Sequence, residues 1–211
     1  MKNTVCALAL ALAAAPAANA VISVNFEGLK NLEPVGNYYD GGFGGLGSGP
    51  GPALGVQFVG NTLAIIDGDA AGGTGNFGNE PSPDTIMFFL SGAETVMNVP
   101  AGFTAGVSMW YTSVGATGTF SVYSGLNGTG TLLGTEVLIP LGVGPGDPNG
   151  SFSNWRFVGI DIGTNVGQSV VFGGVADQIG FDDVSFGQIP TPAAAGVLGF
   201  GALAAARRRR A

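Results

Sequence analysis

From position 21 to position 187 the chain alternates apolar and polar residues, or gathers apolar residues into short runs bounded by Gly, Asn, Asp and Pro. Successive side chains on an extended strand point to opposite faces, so a period of two marks strands with one face in a core. No stretch of useful length keeps the 3.6-residue period of an amphipathic helix. The pattern predicts strands over 21–26, 56–59, 63–66, 85–90, 95–99, 106–112, 118–123, 132–139, 157–162, 169–172 and 179–186. Alternation is clearest in Thr119-Phe120-Ser121-Val122-Tyr123 and in Phe181-Asp182-Asp183-Val184-Ser185-Phe186. Many short strands at such spacing predict an all-β fold, an antiparallel β-sandwich of two sheets.

Two segments between strands read as surface loops. Residues 36–55 contain Asn37-Tyr38-Tyr39-Asp40 and a Gly-Gly-Phe-Gly-Gly run, and residues 68–83 follow Asp67-Gly68-Asp69. Long loops of this kind are usually functional or mobile. Neither is a phosphate loop, because no Gly-Lys-Ser/Thr and no helix follows the glycines. Asp67-Gly68-Asp69 lacks the third oxygen ligand and terminal glutamate of a calcium-binding EF-hand.

Composition agrees with a folded domain of strands and tight turns. Glycine reaches 39 residues, charged residues only 10% and apolar residues 45%, whereas disordered chains are polar and highly charged. Residues 21–189 hold all 14 acidic residues against Lys30 and Arg156, so this part repels phosphate backbones and nucleic acid is excluded as a partner. Histidine is absent and the one cysteine, Cys6, precedes position 21. Later residues therefore offer no disulfide, thiolate nucleophile, Cys/His zinc site or imidazole base. A catalytic pair of carboxylates stays conceivable, but with 14 acids almost any fold brings two together.

The two ends carry signals of their own. Residues 1–20 have the order of a signal peptide: Lys2, an apolar run over 5–15, and Ala18-Asn19-Ala20 as the cleavage site before Val21. At the other end stand Pro190-Thr191-Pro192, an apolar run over 193–206, and Arg207-Arg208-Arg209-Arg210. As a helix that run reaches about 21 Å against a hydrocarbon core of ~30 Å, a short transmembrane helix lengthened by snorkelling arginines. The arginines act as a membrane stop and hold that end on the cytoplasmic side. The expected divisions are 1–20 signal peptide, 21–188 glycine-rich β-sandwich, and 189–211 tail.

Prolines, a short Ala/Gly/Leu helix and a terminal arginine cluster, in that order, resemble the PEP-CTERM sorting tail of exported proteins in Gram-negative bacteria that make exopolysaccharide. The resemblance implies general secretion and signal peptidase at the front. At the tail it implies recognition near Pro190, Thr191 and Pro192 by an exosortase, an intramembrane transpeptidase-like enzyme. Thr191 departs from the Pro-Glu-Pro consensus. The resemblance places the product first in the inner membrane, then at the cell surface or in the extracellular matrix.

Within the domain, Val24-Asn25-Phe26-Glu27 and Ile179-Gly180-Phe181-Asp182-Asp183-Val184-Ser185-Phe186-Gly187 resemble the first and last strands of galactose-binding-like jelly rolls. The likeness implies neighbouring chain ends and a structural calcium with Glu27 and Asp182 as ligands, assisted by Asp183 or a backbone carbonyl. Adjacent Asp182 and Asp183 should, however, point to opposite faces of a regular strand. Of the large aromatics, Trp110 and Trp155 lie in strands and read as core residues. Tyr38 and Tyr39, side by side in a glycine-rich loop, are the candidates for stacking on sugar rings.

These features predict an exported, non-enzymatic surface protein associated with exopolysaccharide, with carbohydrate binding as its working activity. The alternative is a structural matrix or adhesion protein without a specific glycan ligand. A polysaccharide hydrolase is the third reading.

Overall fold

The structure is a computed structural model, and it describes residues 21–144 and 150–187. Every regular element among these residues is a strand: β1 Ile22–Val24, β2 Glu33–Pro34, β3 Gln57–Val59, β4 Thr62–Ile66, β5 Thr85–Phe89, β6 Glu94–Thr112, β7 Gly118–Tyr123, β8 Leu132–Leu138, β9 Arg156–Gly173 and β10 Gly180–Phe186. All named strand pairs are antiparallel. No helix among the described residues is long and apolar enough to cross a membrane. The expected signal peptide and tail lie outside the described residues.

Most predicted strands recur within a residue or two. The two departures have one physical cause. The predicted 95–99 and 106–112 are halves of β6, and 157–162 and 169–172 are halves of β9. Pro100-Ala101-Gly102 and the turn-forming residues near Gly163 bend these strands instead of ending them. The bends coincide with register shifts between Asn98 and Gly106 and with positive φ at Gly102, Ala105 and Gly163. Bulges of this kind turn a strand from one layer into the next.

Each half then finds different neighbours. The first half of β6 pairs with β3 and with the second half of β9, which also pairs with β7; β7 in turn pairs with β8. The second half of β6 pairs with the first half of β9 on one side and β10 on the other. Beyond β10 the order runs β5, β4, β2, and β1 pairs with the end of β10. The bent β6–β9 hairpin is thus the fold line of an antiparallel sandwich.

Phe172 of β9 stacks on Phe120 of β7 and meets Phe181 of β10, linking the two layers. Phe103 at the β6 bend meets Phe186 of β10. These rings belong to a single cluster with Val24, Phe26, Met87, Met109, Tyr111 and Val170. Each fully buried aromatic contributes about 1.5–3 kcal/mol relative to exposure.

The loop expected over 36–55 is instead part of the packed body. Glu33 is inaccessible to solvent, and its carboxylate accepts from the amides of Lys30, Leu46 and Ser48 and from Ser48 Oγ. Glycines let this segment lie flat: a Cβ on Gly44 would stand 2.5 Å from Glu33 Oε1, and one on Gly51 2.3 Å from the Tyr38 carbonyl oxygen. Neither position has room for a side chain.

Candidate functional site

The first and last strands meet as neighbours, with Ile22 opposite Phe186 and Val24 opposite Val184. Just past β1 the backbone takes a positive φ at Phe26, and in β10 it does so at Asp183. These conformations are uncommon for non-glycine residues and concentrate where a local structure overrules them. In β10 the distortion accompanies a register shift between Asp182 and Ser185. Strict alternation is interrupted there.

Ser82 closes this region into a clasp. Its hydroxyl lies 2.9 and 3.0 Å from the two Asp182 carboxylate oxygens, 3.3 Å from Glu27 Oε1 and 3.0 Å from the Asn25 carbonyl oxygen. Its amide donates to Asp182 Oδ2 at 2.9 Å. Glu27 Oε1 accepts from the amides of Asp84 and Thr85, at 3.0 and 2.9 Å, and Asp182 Oδ1 accepts from the Asp183 amide at 2.7 Å. Three distant parts of the chain are tied through two carboxylates and one hydroxyl.

Asp182 is fully buried. Burial pushes its carboxyl up to about 7 against the pull of the Ser82 donors, and the charge of Asp183 adds to the rise. Asp183 is also raised, by its own partial burial and by the charge of Glu27. No cationic side chain contributes to either shift; the Lys30 ammonium donates to the Leu46 carbonyl oxygen. In charge and donor type the set suits a hard, oxygen-preferring cation such as calcium. Still, no three His, Cys, Asp or Glu side chains among the described residues converge as metal ligands. The clasp in this state is hydrogen-bonded.

Tyr38 and Tyr39 are not where a sugar could reach them. Both are buried, their rings edge-on at 5.1 Å, and Tyr39 packs against Phe26 and Phe58. The expectation of an exposed stacking pair is therefore corrected: the glycines around them admit the rings to the core. The Tyr39 hydroxyl, near the Phe26 backbone, meets no hydrogen-bond partner in good geometry, and burial pushes its pKa well up.

The expectation for the tryptophans fails in the opposite sense. Trp110 is half-exposed on the outer face of the sheet and meets Phe157 of β9 edge-on at 5.5 Å. Phe157 itself is 54% exposed. Trp155 is also half-exposed, its indole N–H donating to the Gly78 carbonyl oxygen at 2.9 Å. The residues that sequence reasoning missed are Ser82, Glu33 and Phe157. Ser82 has no local signature, since its partner Asp182 lies 100 residues away. The donors to Glu33 are the backbone amides of Lys30, Leu46 and Ser48 and one hydroxyl, which leave no motif. Phe157 could have been found only from its pairing with Trp110. The sorting and cleavage positions Ala18, Ala20, Pro190, Thr191, Pro192 and Arg207 to Arg210 lie outside the described residues.

No family model matches the sequence, and no curated protein matches it significantly. Among solved structures, the chain is similar to the K1 cleaved adhesin domain of Lys-gingipain from Porphyromonas gingivalis W83, with a TM-score of 0.45 and 13% identity over 81% of this chain and 99% of that one. It is also similar to a family 6 carbohydrate-binding module from Clostridium stercorarium solved with cellobiose, with a TM-score of 0.38 and 21% identity over 63% of this chain and 87% of that one. A further similarity is to the C-terminal family 6 carbohydrate-binding module of a laminarinase from Zobellia galactanivorans, with a TM-score of 0.33 and 17% identity over 61% of this chain and all of that one.

Proposed function

We propose that the chain is an exported, non-enzymatic β-sandwich that works at the surface of a Gram-negative bacterium in association with exopolysaccharide. In this reading residues 1–20 direct secretion, and an exosortase acts on the tail near Pro190-Thr191-Pro192 while Arg207 to Arg210 hold it in the inner membrane. The observation that carries the reading is the pairing of Ile22 with Phe186. It makes both chain ends leave the sandwich side by side, so that a tether at either end leaves the opposite pole and the sheet faces free. The domain then serves as a displayed module, with neither histidine nor cysteine to supply a nucleophile–base pair. Glu27 and Asp182 are the carboxylates that would hold a structural calcium, whose charge would offset theirs between the first strand and the last.

Fractionation of cells expressing the full chain, or the chain lacking its last 22 residues, tests the address. The full chain is expected at the surface or with sedimented exopolysaccharide, and the truncated chain in the periplasm or medium. Full-length, unprocessed protein in the cytosol overturns the reading. Envelope retention without any association with polysaccharide replaces it with the structural matrix or adhesion reading.

A further inference from the structure

The outer face of the sheet is readable row by row from its register, because residues directly opposite on antiparallel strands share a face. One row runs Asp182 on β10, Trp110 on β6, Phe157 on β9. The next runs Ser23, Ser185, Ser108, Gly159 from β1 to β9. The one after pairs Gly106 with Asp161. Asp182, Ser108 and Gly106 are buried within these rows, so the accessible residues are the Trp110 and Phe157 rings beside Ser23, Ser185, Gly159 and Asp161.

Gly159 leaves an exposed gap beside the rings, and the buried Gly106 lets β6 and β9 approach closely next to it. A Cβ on Gly106 would stand 2.4 Å from the Ile160 carbonyl oxygen, so no larger residue fits there. At the far side of the aromatic row the face is closed. Thr112 is buried, and Trp155 is bonded to Gly78 across the 76–84 segment. The open part is a strip of sheet surface with an aromatic pair on one side, the hydroxyls of Ser23 and Ser185 hydrogen-bonded to each other at 2.9 Å, and the exposed carboxylate of Asp161 at its edge.

We propose that this strip is a binding face for a neutral polysaccharide chain. The faces of pyranose rings carry C–H groups that stack on Trp110 and Phe157. Their hydroxyls donate to the Asp161 carboxylate and exchange hydrogen bonds with Ser23 and Ser185. A domain with 14 acids against two bases, with Asp161 at the edge, admits an uncharged polymer and repels an anionic one. The inference rests on the reading of the chain as a glycan-associated protein and deepens it, naming the face and the class of glycan.

The test is affinity electrophoresis of the processed protein through gels containing hydroxyethylcellulose, dextran or galactomannan, with alginate as the anionic control. Gly159→Val is the primary variant. A Cβ there meets only ordinary contacts, the nearest Ser108 Cβ at 3.4 Å, so the fold tolerates it while the added side chain covers the surface beside the rings. Trp110→Ala is the second, with melting temperature followed for both. Retardation by at least one neutral polymer, none by alginate, and at least tenfold weaker retardation in both variants is the expected result. Wild-type retardation that both folded variants retain overturns this face while leaving the glycan-associated reading intact. No retardation of the wild type by any neutral polymer overturns the proposal, while the glycan-associated reading stands or falls on the fractionation. A wild-type dimer that Gly159→Val converts to monomer assigns the face to a second copy of the chain, and overturns the proposal.

Discussion

Replacing Glu33 with glutamine asks whether one buried carboxylate holds the 36–55 segment in place. Glu33 Oε1 accepts from the amides of Leu46 at 2.8 Å and Ser48 at 3.0 Å, and Oε2 from the Lys30 amide at 2.6 Å and Ser48 Oγ at 2.5 Å. Glutamine has one acceptor oxygen and one donor group. With its NH2 at the Oε1 position it faces two fixed amide donors. At the Oε2 position it faces one amide, and a hydroxyl free to rotate and accept. The second arrangement is the less costly, and it leaves the Lys30 amide without an acceptor. One unsatisfied buried donor costs about 1–3 kcal/mol, and losing the charge weakens the remaining bonds by about half. The variant should lose about 3 kcal/mol of unfolding free energy.

Urea denaturation followed by tryptophan fluorescence measures the loss, with an unchanged m-value as the sign that the folded and unfolded states are otherwise the same. Acid supplies a second signature. Burial pushes the Glu33 carboxyl up, but the Ser48 hydroxyl and the amides of Lys30, Ser48 and Leu46 outweigh it and leave it below its ordinary value of 4.5. A lowered carboxyl stabilises the fold above its unfolded pKa, and that stability disappears as pH falls through the folded one. The gap between wild type and Glu33→Gln should therefore narrow below about pH 4.5. A loss under ~1 kcal/mol at pH 7, or a gap that ignores acid, would refute the argument that these four donors anchor the segment.

Gly44→Ala should destabilise by about 2 kcal/mol in the same urea assay, because its Cβ would press on Glu33 Oε1 and Leu29; an unchanged midpoint counts against tight packing there. Tyr39→Phe removes a buried hydroxyl without a well-placed partner, so it should be neutral or raise the melting temperature, and a drop of several degrees refutes that assignment. Asp182 behaves oppositely to Glu33: with its carboxyl raised to about 7, its contribution is full below about pH 4 and lost as pH climbs toward 7. In chelator, stability should fall by up to about 4 kcal/mol across that window; a flat profile sinks the assignment. Millimolar calcium should raise the melting temperature more at pH 7 than at pH 5, since the cation competes with the proton on Asp182, and Glu27→Ala should abolish the effect. Calorimetry without a calcium signal, together with a melting temperature indifferent to chelator, disproves the metal.

Strand positions were legible because a period of two is a local property. The 118–123 strand recurs as β7 with the same bounds. Continuity was not legible: Pro100 and Gly163 signal an end or a bend equally well, and only the pairing of β6 with β9 on both sides of the break decides. The two carboxylates of the clasp, Glu27 and Asp182, were named from resemblance at the chain ends, and they do meet on one hydroxyl. That hydroxyl belongs to Ser82, inside a segment that reads as a loop, 100 positions from Asp182. Tyr38 and Tyr39 misled for a related reason. Glycine-rich surroundings look exposed, yet the missing side chains are what let the backbone press against the core and carry two rings inside.

Trp110 shows where such information resides. Alternation correctly sets it on one face of β6 with Ser108 and Thr112, and sets Met109 and Tyr111 on the other. Within a single strand a tryptophan argues for the core, so alternation alone points the wrong way. The partners reverse the conclusion. Tyr111 lies opposite Phe181, and Met109 opposite Val158, which together fill an interior. Trp110 lies opposite Asp182 and Phe157, and Ser108 opposite Ser185 and Gly159. Serine and glycine leave too little volume to pack a core at native density, so Phe157 and Gly159 stay exposed on that face even where Ser108, Thr112 and Asp182 are covered. The distinction is present in the amino acids, but it belongs to pairs of strands and becomes visible only once the register is known.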